Sequence, residues 1–161
     1  MGLDQWACKT KDERASGAFQ IPSDLVSEEI AAWRKHPNLH GWMRDLYVAK
    51  NNGTLRVDGK ELPKEEVSDH RTFMGEEFNC DVGVELTLDD LVALAVAVET
   101  NALPETSGFF FGQSSTEDAE DDRRFIRVAR EAITEGFRVY YSSWWIWLLA
   151  VPTLLRWAIQ A

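Results

Sequence analysis

The sequence predicts an α+β domain: a mainly antiparallel sheet of about four strands with helices packed on it, plus an apolar C-terminal tail. Three observations point there. Short alternating or aromatic runs recur between longer segments of helical period. No strand-to-helix turn carries the glycine-rich phosphate loop of a doubly wound parallel fold. The length, 161 residues with 45% hydrophobic and 27% charged side chains, is enough for one core without disulfides or a structural metal. Residues 1–145 are expected to form this single domain and residues 146–161 the tail.

Each element has a local reason. Leu3-Asp4-Gln5-Trp6-Ala7-Cys8 partly alternates and reads as a strand, and residues 9–17 read as a polar loop. Ser23-Asp24 or Ser27-Glu28-Glu29 offers the start of a helix carrying Ile30, Trp33 and Arg34, which Pro37 interrupts. Proline suits the first turn of a helix, so Pro37-Asn38-Leu39-His40 opens a second one that runs through Lys50. Its Leu39, Trp42, Met43, Leu46 and Tyr47 make one apolar stripe, and Asn51-Asn52-Gly53 ends it. Thr54-Leu55-Arg56-Val57 before Asp58-Gly59 suggests a small hairpin. Val82, Val84 and Leu86 alternate with polar neighbours in a strand over 80–86.

Thr87-Leu88-Asp89-Asp90 resembles a helix cap with an acidic first turn. The residues that follow, 91–98, are apolar nearly all round, which predicts a buried helix. Gly108-Phe109-Phe110-Phe111-Gly112 reads as a central strand. Ser114-Ser115-Thr116 supplies capping hydroxyls for a helix over 117–135, with Phe125, Val128, Ala129, Ala132 and Ile133 as its core stripe. Gly136 ends that helix, and residues 137–144 form the last strand.

Charge narrows the functions. The formal net charge is −10, and five carboxylates fall within residues 117–122, so a phosphate backbone is repelled and general nucleic-acid binding is not expected. A small anionic ligand in a local basic pocket stays open. Cys8 and Cys80 make neither a disulfide framework nor a zinc knuckle, and residues 1–20 lack the order of a signal peptide, so a reducing cytoplasm is the expected setting.

Residues 144–155 carry no charge, but a spanning helix needs roughly 17–25 apolar residues, and Pro152 interrupts this run. Docking on the domain's own core, contact with a partner or a second copy, and membrane contact all remain open. Trp144, Trp145, Trp147 and Trp157 are the interface candidates, since tryptophan anchors such contacts.

Chemistry-bearing residues are few. His36 and His40 are spaced i, i+4, but Pro37 lies between them and no HExxH glutamate is present, so no metal is expected. His70 and Cys80 have no signature of an activated thiol. Thr106-Ser107-Gly108 is either a plain turn or a loop whose hydroxyls and amides hold an anion, and it lacks the lysine of a P-loop. Trp33-Arg34-Lys35-His36 and Trp42-Met43-Arg44 set cations beside aromatics, a combination that holds a planar anionic ligand by stacking and charge. The alternative is that Trp33 and Trp42 are core and Arg34 and Lys35 are solvated. The ligand-binding set on this basis is Arg34, Lys35, His40, Thr106, Ser107, Tyr141 and Ser143. No catalytic residue and no cofactor is assigned.

At these residues the chain resembles a family of small proteins encoded by phages and prophages. The resemblance rests on Gly2-Leu3-Asp4, on Trp33-Arg34-Lys35-His36-Pro37-Asn38-Leu39-His40-Gly41-Trp42 and on Phe78-Asn79-Cys80. It continues through Leu103-Pro104-Glu105-Thr106-Ser107-Gly108-Phe109-Phe110-Phe111-Gly112 and Tyr141-Ser142-Ser143-Trp144. It implies a viral accessory protein in the host cytoplasm and no particular activity. Such sequences sometimes bear a phosphoglycerate kinase label; this chain is far too short for that enzyme, and nothing in it supports phosphoryl transfer. Family members usually stop soon after the Ser-Ser-Trp motif, so the continuation from Ile146 is a departure.

The expectation is therefore a binding protein rather than an enzyme. Its leading partner is a host component, such as a defence protein, met through an acidic or aromatic surface, with a homo-oligomer possible. One alternative is capture of a nucleotide or nucleotide-derived signal, which requires Arg34, Lys35, Thr106 and Ser107 to converge. The other is a small enzyme acting on such a ligand.

Overall fold

A computed structural model describes residues 2–57, 60–62, 72–73, 81–108 and 112–144. Their elements are β1 (Asp4–Thr10), β2 (Ala18–Gln20), β3 (Glu28–Arg34), α1 (Pro37–Lys50), β4 (Leu55–Val57) and β5 (Lys60–Leu62). There follow β6 (Thr72–Phe73), β7 (Val82–Leu86), α2 (Leu88–Glu99), β8 (Ser107–Gly108), α3 (Asp118–Thr134) and β9 (Arg138–Trp144). The class is α+β, and the main sheet has five strands in the order β2-β7-β9-β1-β3, antiparallel at every pairing.

Strand alternation gives the sheet two different faces. Ala7, Val84, Val139 and Tyr141 point into the main core with Leu39, Met43, Leu91, Leu94, Phe125 and Ala129 from the helices. Cys8, Phe19 and Tyr140 point the other way and are covered by Ala15 and by the partly buried Ile21 and Leu25. The middle of β9 is therefore buried on both faces, which its Val-Tyr-Tyr-Ser-Ser run tolerates because the polar groups find partners. Ser142 Oγ, for example, donates to the carbonyl of Val82 at 2.8 Å.

Several expectations hold. Pro37 sits at the start of α1, and Leu39, Met43 and Tyr47 are its buried stripe, with Trp42 and Leu46 partly buried beside them. The hairpin pairs Leu55 with Leu62 and Val57 with Lys60. Thr87 and Asp90 form a reciprocal capping box at α2: the Asp90 N–H donates to Thr87 Oγ1, and the Thr87 N–H donates to Asp90 Oδ2 at 2.8 Å. Lys50 ties α1 to this cap through Asp90 and through the Glu85 carbonyl.

Others are corrected. Residues 28–34 are a strand, not a helix. β3 is one edge of the sheet and among the described residues pairs with β1 alone; its Ile30 and Trp33 pack on the core while Glu28, Glu29, Ala32 and Arg34 stay exposed. The short strand β2, in a stretch without periodicity, was not expected. α2 is not buried all round: Leu91, Leu94 and Val98 face the core, whereas Leu88, Val92 and Val96 are 47%, 52% and 58% exposed. The hydroxyls of residues 114–116 do not cap α3. Its N-cap is Glu117, without a side-chain cap bond, and Asp118 instead reaches back to the Ser115 N–H. The expected strand at Phe109-Phe110-Phe111 lies outside the described residues; Ser107 and Gly108 just before it pair in parallel with Thr72 and Phe73.

Candidate functional site

The site forms where β3 hands over to α1. Lys35 takes a positive φ of 59°, turning the chain so that His36 becomes the N-cap of α1. Gln5 of β1 then clamps the His36 backbone from both sides. The His36 N–H donates to Gln5 Oε1 at 2.9 Å, and Gln5 Nε2 donates to the His36 carbonyl at 3.0 Å. The same Nε2 donates to Tyr141 Oη at 2.9 Å.

With its backbone held, the buried His36 ring spans two polar partners. Nε2 lies 2.9 Å from Asp122 Oδ2 and Nδ1 lies 2.8 Å from Ser114 Oγ. A carboxylate only accepts, so Nε2 donates to Asp122, and in the ring with a single N–H it is Nδ1 that presents its lone pair to Ser114. Ser114 Oγ accepts from the Asn38 N–H at 3.1 Å, which leaves its own proton to point at Nδ1. Ser114 thus caps α1 from across the chain rather than α3 beside it. Asp118 Oδ2 stands 3.8 Å from Nδ1, a second carboxylate near the ring. Asp122 is 1% exposed, and its Oδ1 has no hydrogen-bond partner among the described residues.

Ser114 also faces an open cleft of about 730 Å³. The N-terminus of α1 (Pro37, Asn38) forms its base, residues 101–107 one side and residues 112–114 the other. Asn38 Oδ1 accepts from the Thr106 N–H at 3.0 Å, and Thr106 Oγ1 donates to the Pro104 carbonyl at 2.9 Å, so this wall is fastened to the helix. The described lining includes Asn101, Ser107, Gln113 and one carboxylate, Glu105, with no Lys or Arg.

The sequence-predicted ligand residues separate into three groups. Thr106 and Ser107 do line the cleft. Lys35 lies beside it, its stem carbons against Gly112, while the exposed Arg34 lies 3.8 Å from Asp4 and outside the lining. His40, Tyr141 and Ser143 are interior. His40 Nδ1 lies 2.9 Å from Tyr141 Oη, and burial, with the Arg44 charge second, lowers its pKa from 6.5 to about 3. Burial raises that of Tyr141, so the phenol keeps its proton, accepts from Gln5 and donates to the neutral imidazole.

The rings of His36 and His40 therefore serve different partners, and among the described residues no three His, Cys, Asp or Glu side chains cluster as metal ligands. Trp33 is core, edge-on to Phe125 at 5.1 Å. Trp144 is half-buried at the end of β9, and Trp145, Trp147, Trp157, His70 and Cys80 lie outside the described residues. Among those residues no helix is long and apolar enough to cross a membrane.

Sequence reasoning missed Gln5, Ser114 and Asp122. One signal was legible: Asp122, Phe125, Ile126 and Ala129 fall at i, i+3, i+4 and i+7, which puts a carboxylate on the buried stripe of α3. A charge there needs a partner inside the protein.

Fold and site together define an α+β protein with a polar cleft at the head of a helix, a buried His–Asp pair and a serine between pair and cleft. No family model, no curated protein and no solved structure matches the chain.

Proposed function

We propose that the chain is an accessory protein of the phage-encoded kind its motifs resemble, and that it works by holding a small polar ligand in this cleft. The observation that carries the proposal is the cleft itself, built from fastened walls and lined by amide and hydroxyl groups at the head of α1. Polar groups converging in one concavity are the usual make-up of a small-molecule site. With Glu105 in the lining and Lys35 alongside, the charge balance suits a neutral polar ligand better than a polyphosphate.

A thermal-shift panel of nucleosides, nucleotides, amino acids and sugars tests the proposal. A ligand present at 100 times its Kd stabilises by about 2.7 kcal/mol, which raises Tm by roughly 5–10 °C for a chain of this size. At least one neutral polar class is expected to produce that shift, and Ser107→Trp, which fills the cleft, is expected to remove it. A panel without a shift, together with native mass spectra free of any co-purified ligand, would overturn the proposal.

One observation favours contact with a host protein as a second mode. Leu88, Val92 and Val96 recur every four residues and form an exposed apolar stripe along α2. Val92→Asp is expected to change stability by less than about 0.5 kcal/mol in urea, because the side chain is outside the core. The same substitution is expected to eliminate any host protein captured from lysate by the wild-type bait. Identical captures by both baits would rule the stripe out.

A further inference from the structure

The geometry points to Ser114 as a nucleophile, activated by His36 and oriented through Asp122, that attacks the carbonyl of a small neutral ester held in the cleft. This rests on the ligand reading above and names the class of ligand and what happens to it.

The parts of a nucleophilic relay are present and mutually aligned. Asp122 fixes the tautomer of His36 through Nε2, and Gln5 fixes its backbone, so the basic Nδ1 is aimed at one atom, Ser114 Oγ. The relay runs from the core outward: Asp122 and His36 are buried, and Ser114 is half-buried in the cleft wall. Two features favour charge separation along it. The Asn38 N–H, at the positive end of α1, already donates to the oxygen that becomes nucleophilic. Asp122 at 2.9 Å and Asp118 at 3.8 Å flank the ring that becomes an imidazolium. The absence of Lys and Arg from the described lining fits a neutral ester.

The step balances. Ser114 Oγ forms a bond to the ester carbon as its proton passes to His36 Nδ1. The bond to the leaving alcohol breaks, and the alkoxide takes that proton from Nδ1. Water then attacks the acyl-serine with His36 again as base, releasing a carboxylic acid and restoring the hydroxyl. A hydroxyl that merely capped α1 would have no such reactivity, and that difference is measurable.

The full chain is treated with a fluorophosphonate, in which the Oγ–P bond forms as fluoride leaves, and separately with p-nitrophenyl acetate. Peptide mapping is expected to find the phosphonyl group on Ser114 in preference to every other serine, with loss of selectivity in urea. His36→Gln is expected to slow labelling at least roughly a hundredfold, as for loss of a general base. Ser114→Cys, which keeps a nucleophile should Ser114→Ala fail to fold, is expected to become acetylated at residue 114. Wild-type protein labelled at no serine, or at Ser114 no faster than in urea, overturns the inference, as does His36→Gln labelling at the wild-type rate. If labelling fails while the thermal-shift panel still finds a ligand, the relay is wrong and the ligand site stands; failure of both removes both.

Discussion

Gly41→Ala is expected to destabilise the protein by about 1–2 kcal/mol and to abolish the ligand response of the cleft. In an ordinary helix interior the same change stabilises by about 0.8–1 kcal/mol, because alanine loses less backbone freedom on folding. Here the sign reverses. Gly41 faces the Thr106 side chain so closely that a Cβ would lie 1.9 Å from Oγ1 and 3.0 Å from the threonine Cβ. Turning the threonine about χ1 would break the Oγ1 bond to the Pro104 carbonyl, and the threonine Cβ, 3.0 Å from the new atom, stays in place whichever rotamer is taken. Overpacking of this kind costs about 1–3 kcal/mol, enough to exceed the gain in helix propensity. The segment that must yield is the Pro104–Ser107 wall, which Asn38 and the Pro104 carbonyl hold in place. Urea denaturation measures the loss, and Thr106→Gly in the Gly41→Ala background is expected to recover part of it. Simple additivity of the two substitutions would show that residues 41 and 106 do not meet.

Acid is expected to weaken the fold through His40. Its folded-state pKa of about 3 lies below the ordinary 6.5 because the fully buried ring resists charging, and the Arg44 charge adds to this. Between those limits the unfolded chain carries a proton on this histidine and the folded chain does not, so the unfolded state binds more protons. Stability therefore rises with pH across the window and falls on acidification, by about 1.4 kcal/mol per pH unit between roughly pH 6 and pH 4. The contribution is complete above pH 6.5. Asp90 acts in the same sense at lower pH. Burial raises its pKa, but the bonds from Lys50 and Thr87 outweigh that and leave it below 3.8, so protonation weakens the α2 cap. Urea midpoints at pH 7, 6 and 5 separate the two groups, since of this pair only His40 differs in bound protons between the folded and unfolded chains there. His40→Gln, which can still accept from Tyr141, is expected to flatten the slope; an unchanged slope would mean that His40 charges freely in the folded state.

How much of this was legible depended on the range of the interaction responsible. α1 could be read because its proline, its stripe of Leu39, Met43 and Tyr47 and its Asn51-Asn52-Gly53 ending all lie within about four turns of one another. The capping box of α2 and the short hairpin were legible for the same reason. β3 was misread because Ser27-Glu28-Glu29 imitates a helix start and an edge strand shows its alternation only weakly. The outer face of α2 was misread because an apolar residue at 92 or 96 looks the same whether a neighbour covers it or not.

The candidate site shows the limit most clearly. Ser114 looked like a local cap for the helix that follows it, yet it bonds Asn38 and His36, 76 and 78 residues earlier, and Asp122 meets His36 from 86 residues away. The α+β class and the extent of α1 follow from composition and periodicity, because those report which face of each element avoids water. Which strand became the edge, and which serine met which histidine, depended on how β1, β3 and α3 came together around the head of α1, because contacts between residues so far apart in sequence exist only once the sheet and helices have packed.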